Sequence, residues 1–117
     1  MMRFDRFTER AQDAAARAYE VLQRYGHNQV DTEHLLLGLL EQPEGVIPQI
    51  LEKMNVDQEA IRYKLDELLK ASPKASIYGS GQGQVFMTPR VKRVVDVAQE
   101  EANRLKDEYI STEHLFL

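Results

Sequence analysis

The chain carries the same segment twice at a fixed offset of 80 residues, and both copies end in one tetrapeptide, Thr32-Glu33-His34-Leu35 and Thr112-Glu113-His114-Leu115. Self-similarity at a constant period limits a chain to repeated supersecondary units, so it takes precedence over any local motif. Residues 7–37 lie on residues 87–117 without a gap, with Thr8/Thr88, Arg10/Arg90, Ala18/Ala98, Glu20/Glu100, Arg24/Arg104 and Leu37/Leu117 identical. The apolar positions coincide as well. Ala11, Ala14, Ala15, Ala18, Leu22 and Tyr25 in the first copy match Val91, Val94, Val95, Ala98, Ala102 and Leu105 in the second. Their i, i+3, i+4, i+7, i+11, i+14 spacing is the buried stripe of an amphipathic helix. The expected fold class is all-α, built from tandem pseudo-twofold repeats of a four-helix unit, the second repeat incomplete at its C-terminus.

Local signals fill in the unit. Thr8 caps a first helix over about 9–25, with Glu9 in its first turn and Gly26 as a left-handed stop. Asp31 or Thr32 caps a short helix bearing Leu35, Leu36, Leu39 and Leu40, apolar enough to be central. Val46, Ile47, Ile50, Leu51 and Met54 mark a third helix with Pro48 in its opening turn, and Asp57 caps a fourth with the stripe Ile61, Leu65, Leu68, Leu69. A Gly/Ser/Pro-rich linker over 71–86 separates repeat 1 (7–70) from partial repeat 2 (87–117), and Thr88-Pro89 restarts the pattern. A second repeat that stops at residue 117 is expected to leave Leu115, Phe116 and Leu117 exposed.

Composition narrows the function classes. The 117 residues amount to one domain, 1–117, with no cysteine and therefore no disulfide or thiolate chemistry. No run approaches the ~20 apolar residues of a membrane span, and the net charge of −4 lacks a polybasic nucleic-acid footprint, so neither membrane nor nucleic acid is an expected partner and a cytoplasmic location is expected. The Glu-His pairs admit a rival reading, a small helical metal-dependent hydrolase. Adjacent residues sit about 100° apart around a helix, however, whereas helical zinc ligands come at i and i+4. The packing alternative has each Thr capping, each Glu favouring the helix dipole, and each of the structural His34 and His114 bonding a nearby backbone group. The two carboxylates then stay available to a cationic ligand. Gly79, Gly81 and Gly83 lack the Lys-Ser/Thr of a P-loop, so the domain is expected to hold no catalytic residue, metal or cofactor. Arg10, Arg17 and Arg24 recur every seven residues on a solvated face, and Tyr78 and Phe86 flank the linker where they could frame an apolar groove.

Four stretches together carry a family resemblance: Phe7-Thr8-Glu9-Arg10-Ala11-Gln12, Val30 to Leu40, Ile50 to Asp57, and Asp107 to Leu115. They resemble the Clp N-terminal repeat domain of ClpB- and ClpC-type chaperones over nearly the whole chain. The resemblance implies an all-α domain preceding the AAA+ rings of a hexameric unfoldase, where ATP and Mg would be bound. It implies reception of unfolded or tagged clients and of adaptor proteins, with delivery to a Clp peptidase as a further partner. In ClpC-type members the glutamates of these segments also take part in holding phosphoarginine tags. Carried over, that points to Glu33 and Glu113 with Thr32 and Thr112 beside them; Tyr78 and Phe86 complete the expected ligand-binding set.

Overall fold

The computed structural model describes residues 7–72 and 86–116. Six α-helices occupy most of these residues: α1 (Glu9–Arg24), α2 (Thr32–Leu40), α3 (Val46–Lys53), α4 (Gln58–Ala71), α5 (Pro89–Arg104) and α6 (Thr112–Phe116). The boundaries follow local chemistry. Thr8 and Thr88 each accept a hydrogen bond at the start of α1 and α5, from the Ala11 and Val91 N–H groups, and Asp57 accepts from Glu59 and Ala60 at the start of α4. Helix α4 runs through Ala71 and Ser72 caps it, so the expected linker begins later than composition indicates. Tyr78, the linker glycines and Leu117 lie outside the described residues.

The repeat is expressed as two equal helices, 9–24 and 89–104, each leaving through a residue of positive φ at matching positions. Gly26 takes φ 72° at no steric cost, and Lys106 takes 61° in the second copy, where a Cβ makes the same turn less favourable.

Two short strands, absent from the sequence reading, tie the copies together. Strand β1 (Gln29–Val30) pairs in parallel with β2 (Phe86–Met87), in the register Val30 to Met87. Phe7 pairs in parallel with Ile110. Positions 7 and 110 are the repeat equivalents of 87 and 30, so the exchanged pairings are two copies of one contact related by the pseudo-twofold. The Thr8 N–H donates to the Ile110 carbonyl at 2.9 Å and the Thr88 N–H to the Val30 carbonyl at 3.0 Å. Each repeat thus satisfies backbone groups of the other, and a two-residue pairing carries too little periodicity to be read from sequence.

The core lies between α1 and α2. Ala14, Ala18, Val21 and Leu22 of α1 meet Leu35, Leu37, Leu39 and Leu40 of α2, with Ile47, Leu51, Leu65 and Leu69 closing the far side. A smaller cluster of Phe7, Ala11, Ala98, Ala102, Ile110 and Leu115 joins the two repeats. Leu115 is therefore buried and Phe116 half-buried, contrary to the expected exposure, because α6 folds back onto α1 and α5. No described helix is long and apolar enough to cross a membrane.

Candidate ligand groove and the two Thr-Glu-His segments

Helix α2 starts with a reciprocal capping box. The Asp31 side chain accepts from the helix backbone, and the Asp31 N–H donates to His34 Nδ1 at 2.9 Å. The cap is thus Asp31; Thr32 is the first helical residue, which corrects the expectation that each Thr caps. Thr32 is freed for another bond and its hydroxyl donates to Glu33 at 3.0 Å. The second segment repeats the arrangement with Ser111 in place of Asp31. The Ser111 N–H donates to His114 Nδ1 at 2.8 Å and the Thr112 hydroxyl to Glu113 at 2.9 Å. Both imidazoles are buried and engaged by backbone, while the glutamates point elsewhere. Among the described residues no three His, Cys, Asp or Glu side chains gather as a metal site.

Exchanging Asp31 for Ser111 makes the two segments differ electrostatically. The Arg90 guanidinium reaches Asp31 through two hydrogen bonds, at 2.6 and 3.1 Å, and Glu33 at 3.2 Å. The Thr88 hydroxyl also donates to Asp31, at 3.0 Å, so the residue that caps α5 bonds the cap of α2. Partial burial works to raise the Asp31 carboxyl; the Arg90, Thr32 and Thr88 hydrogen bonds outweigh it and hold Asp31 below the usual carboxylate range. Arg10, the equivalent of Arg90, instead donates to the Pro43 carbonyl at 2.7 Å. Glu113 is left exposed with its Thr112 bond. Arg17 and Arg24 pair with Asp13 and Glu41, so the arginine face is solvated and internally paired.

Beside Thr32 and Glu33 opens a groove of about 250 Å³, floored by Leu35, Leu36, Leu39 and Leu65 and walled by Val94, Leu115 and Phe116. It is polar at one rim and apolar along its length, and it is bounded by α2, α4, α5 and α6. A tighter apolar pocket lies between α1 and α5, lined by Ala15, Tyr19, Val30, Met87 and Val95 among others. Of the sequence-derived site residues, Thr32 and Glu33 stand at the groove. Thr112 is buried, Glu113 lies outside the groove walls, and the half-exposed Phe86 sits in β2 opposite Gln29, also outside them. Asp31, Thr88, Arg90 and the groove residues from α4 and α5 were not singled out from sequence as site residues. Arg90 was legible only as the partner of Arg10 in the repeat alignment, which gives no distance to Glu33.

Comparison with known proteins bears on this architecture. Residues 6–117 match the model of the Clp repeat (R) N-terminal domain. The chain is 40% identical over 115 residues to the chaperone protein ClpB of Nitratidesulfovibrio vulgaris, covering 98% of this chain and 13% of that protein. It is 37% identical over 119 residues to the ATP-dependent Clp protease ATP-binding subunit ClpC of Staphylococcus aureus, covering 99% of this chain and 13% of that protein. The chain therefore spans about an eighth of the length of these relatives. The N-terminal domain of the chaperone ClpD from Arabidopsis thaliana superimposes with a TM-score of 0.69 at 26% identity, over 97% of this chain and 75% of that one. The Hsp104 N-terminal domain from Candida albicans shares the fold, with a TM-score of 0.82 at 15% identity over 96% and 71% of the respective chains. With the duplicated helices, the exchanged strand pairings and the family match in agreement, the chain belongs to the Clp N-terminal repeat domain family of Clp AAA+ chaperones.

Proposed function

We propose that this domain is the client- and adaptor-receiving module of an ATP-dependent Clp unfoldase, binding an apolar segment of a partner in the groove between α2, α4, α5 and α6. The observation that carries the reading is the groove itself, a continuous apolar floor of Leu35, Leu36, Leu39 and Leu65 with Thr32 and Glu33 at one rim. Burying an apolar side chain there removes water from both surfaces, worth about 25 cal/mol per Å² before the costs of association. The rim carboxylate and hydroxyl supply a site for a cationic or hydrogen-bonding group of the same partner. The parent protein would be a hexameric AAA+ ATPase binding ATP and Mg outside this domain, with unfolded or tagged proteins and adaptors as partners and a Clp peptidase downstream. Phosphoarginine binding at Glu33 and Glu113, beside Thr32 and Thr112, belongs to the same proposal.

Titration calorimetry of the chain with a permanently unfolded casein tests it. Leu36→Asp and Phe116→Asp at the groove are expected to weaken binding at least tenfold, whereas Tyr63→Asp on an exposed face of α4 leaves it unchanged. Equal affinity in all of these variants would discard the groove as the receiving surface.

A further inference from the structure

We propose that His27 and His34 form a proton-sensitive latch: one proton taken up by the pair breaks either the ring-to-ring bond or the bond from the Asp31 backbone to His34 that helps fix the start of α2, beside the Asp31 carboxylate that ties α2 to the second repeat. The argument begins from donor and acceptor roles. The Asp31 backbone N–H can only donate, so His34 Nδ1, 2.9 Å away, must be the bare nitrogen of a neutral ring, and the ring proton sits on Nε2. His34 Nε2 is 2.9 Å from His27 Nδ1, which must therefore accept, placing the second ring's proton on His27 Nε2. That atom is buried without a hydrogen-bond partner.

The relay admits no added proton. If His34 is the cation, a hydrogen on Nδ1 opposes the Asp31 N–H. If His27 is the cation, either two N–H groups face each other between the rings or His34 moves its proton to Nδ1 and again loses Asp31. Every charged state breaks one of the two bonds, of which the ring-to-ring bond is buried. The groups around the pair are few. Tyr25 stacks on His27 with ring centroids 6.1 Å apart and donates its hydroxyl to Asp66; Asp31 and Glu33 lie on the His34 side, where they favour the charged ring against burial, and share the single charge of Arg90. Burial, then the neighbouring His27, hold His34 below its ordinary value of 6.5, consistent with this geometry.

The second repeat supplies an internal comparison. The equivalent of His27 is Asp107, whose carboxylate lies 3.0 Å from His114 Nε2 and accepts its proton. There the ring chain ends on an anion, whereas in the first repeat it ends on an orphaned N–H. In the unfolded chain His34 takes up a proton below about pH 6.5, and the folded, buried ring resists it. The unfolded state therefore binds more protons in this range, and stability rises with pH. The contribution of His34 is complete above 6.5 and falls as the pH drops below it, in a window above that of the carboxylates.

The test is thermal unfolding of the 117-residue chain between pH 7.5 and 5.5, alongside His27→Asp, which installs the second repeat's arrangement in the first and keeps His114–Asp107 intact. The midpoint of the parent chain is expected to fall by several degrees and that of His27→Asp by clearly less. A flat parent profile, or an equal fall in both, overturns the latch. Ring-nitrogen NMR of the parent chain provides an independent decision if the variant fails to fold. Protons on Nε2 of both His27 and His34 at pH 7.5, with the Asp31 amide shifting as the pair titrates, are expected; a proton on His34 Nδ1 at that pH overturns it.

Discussion

Tyr25 shows how one side chain joins distant segments. It ends α1 and its hydroxyl donates to Asp66 on α4, 41 residues away. Burial, then Asp66, push the phenol up to about 12, while the Tyr25 and Lys70 hydrogen bonds hold the Asp66 carboxyl below its usual range. Tyr25 is expected to ionise only near pH 12 in an ultraviolet titration. Removing the hydroxyl by Tyr25→Phe leaves the ring packed and should cost about 1 kcal/mol, the net worth of one such hydrogen bond, measurable by urea unfolding at pH 7. The sign for acid follows from Asp66: a carboxyl depressed in the folded state stabilises above its ordinary value of 3.8, and that stabilisation is lost as the pH falls through the folded value. Tyr25→Phe should therefore flatten the acid limb below about pH 4.

At the scale of elements, the crossing of α1 and α2 is set by one glycine. A Cβ on Gly38 would stand 3.0 Å from both the Ala14 carbonyl oxygen and the Ala18 nitrogen, which are backbone atoms of a packed helix. The alanines of α1 and the glycine of α2 let the helices approach closely, and α2 is buried on nearly every side as a result. Two effects compete in Gly38→Ala. Helix propensity favours alanine by about 1 kcal/mol, while forcing a methyl into backbone costs about 1–3 kcal/mol. The overlap is with backbone that cannot rotate away, so steric cost wins, and Gly38→Ala is expected to lower the urea midpoint with little change in m value. A rise in midpoint would show that the helices separate without penalty.

Across the whole molecule, the pseudo-twofold is close in backbone and broken in charge. Thr8 and Thr88 cap equivalent helices and pair with equivalent carbonyls, yet only Thr88 has a carboxylate opposite it, because Asp31 is replaced by Ser111 in the other half. Thr8→Ala should cost about 1 kcal/mol for the lost cap. Thr88→Ala should cost more, since it also removes a donor from Asp31, and the excess should disappear in a double-mutant cycle with Asp31→Ala, read by chemical denaturation. Equal costs for the two threonines would mean that the inter-repeat bond contributes nothing.

Much of this was legible in the chain. The shared stripe dictated two amphipathic helices: Ala11, Ala14, Ala15, Ala18 and Leu22 are buried in the first, and Val91, Ala98 and Ala102 in the second, where Val94 and Val95 are half-buried; at the helix ends Tyr25 is half-buried and Leu105 exposed. Thr8, Thr88 and Asp57 fixed helix starts because capping is a contact between residues two or three apart, which spacing records. Thr32 misled as a cap because Asp31, one residue earlier, satisfies the same donors with a charged oxygen. What spacing cannot record is which repeat faces which. The Arg90 grip on Asp31 and Glu33, the His27–His34 relay, the exchanged strand pairs and the groove built from four helices all depend on how the two copies dock. The sequence by itself determined the unit and its duplication, since helix periodicity and caps are local. Only the tertiary structure decided that one glutamate is gripped by an arginine of the other repeat while its twin is exposed, because that difference is a distance between side chains nearly 60 residues apart.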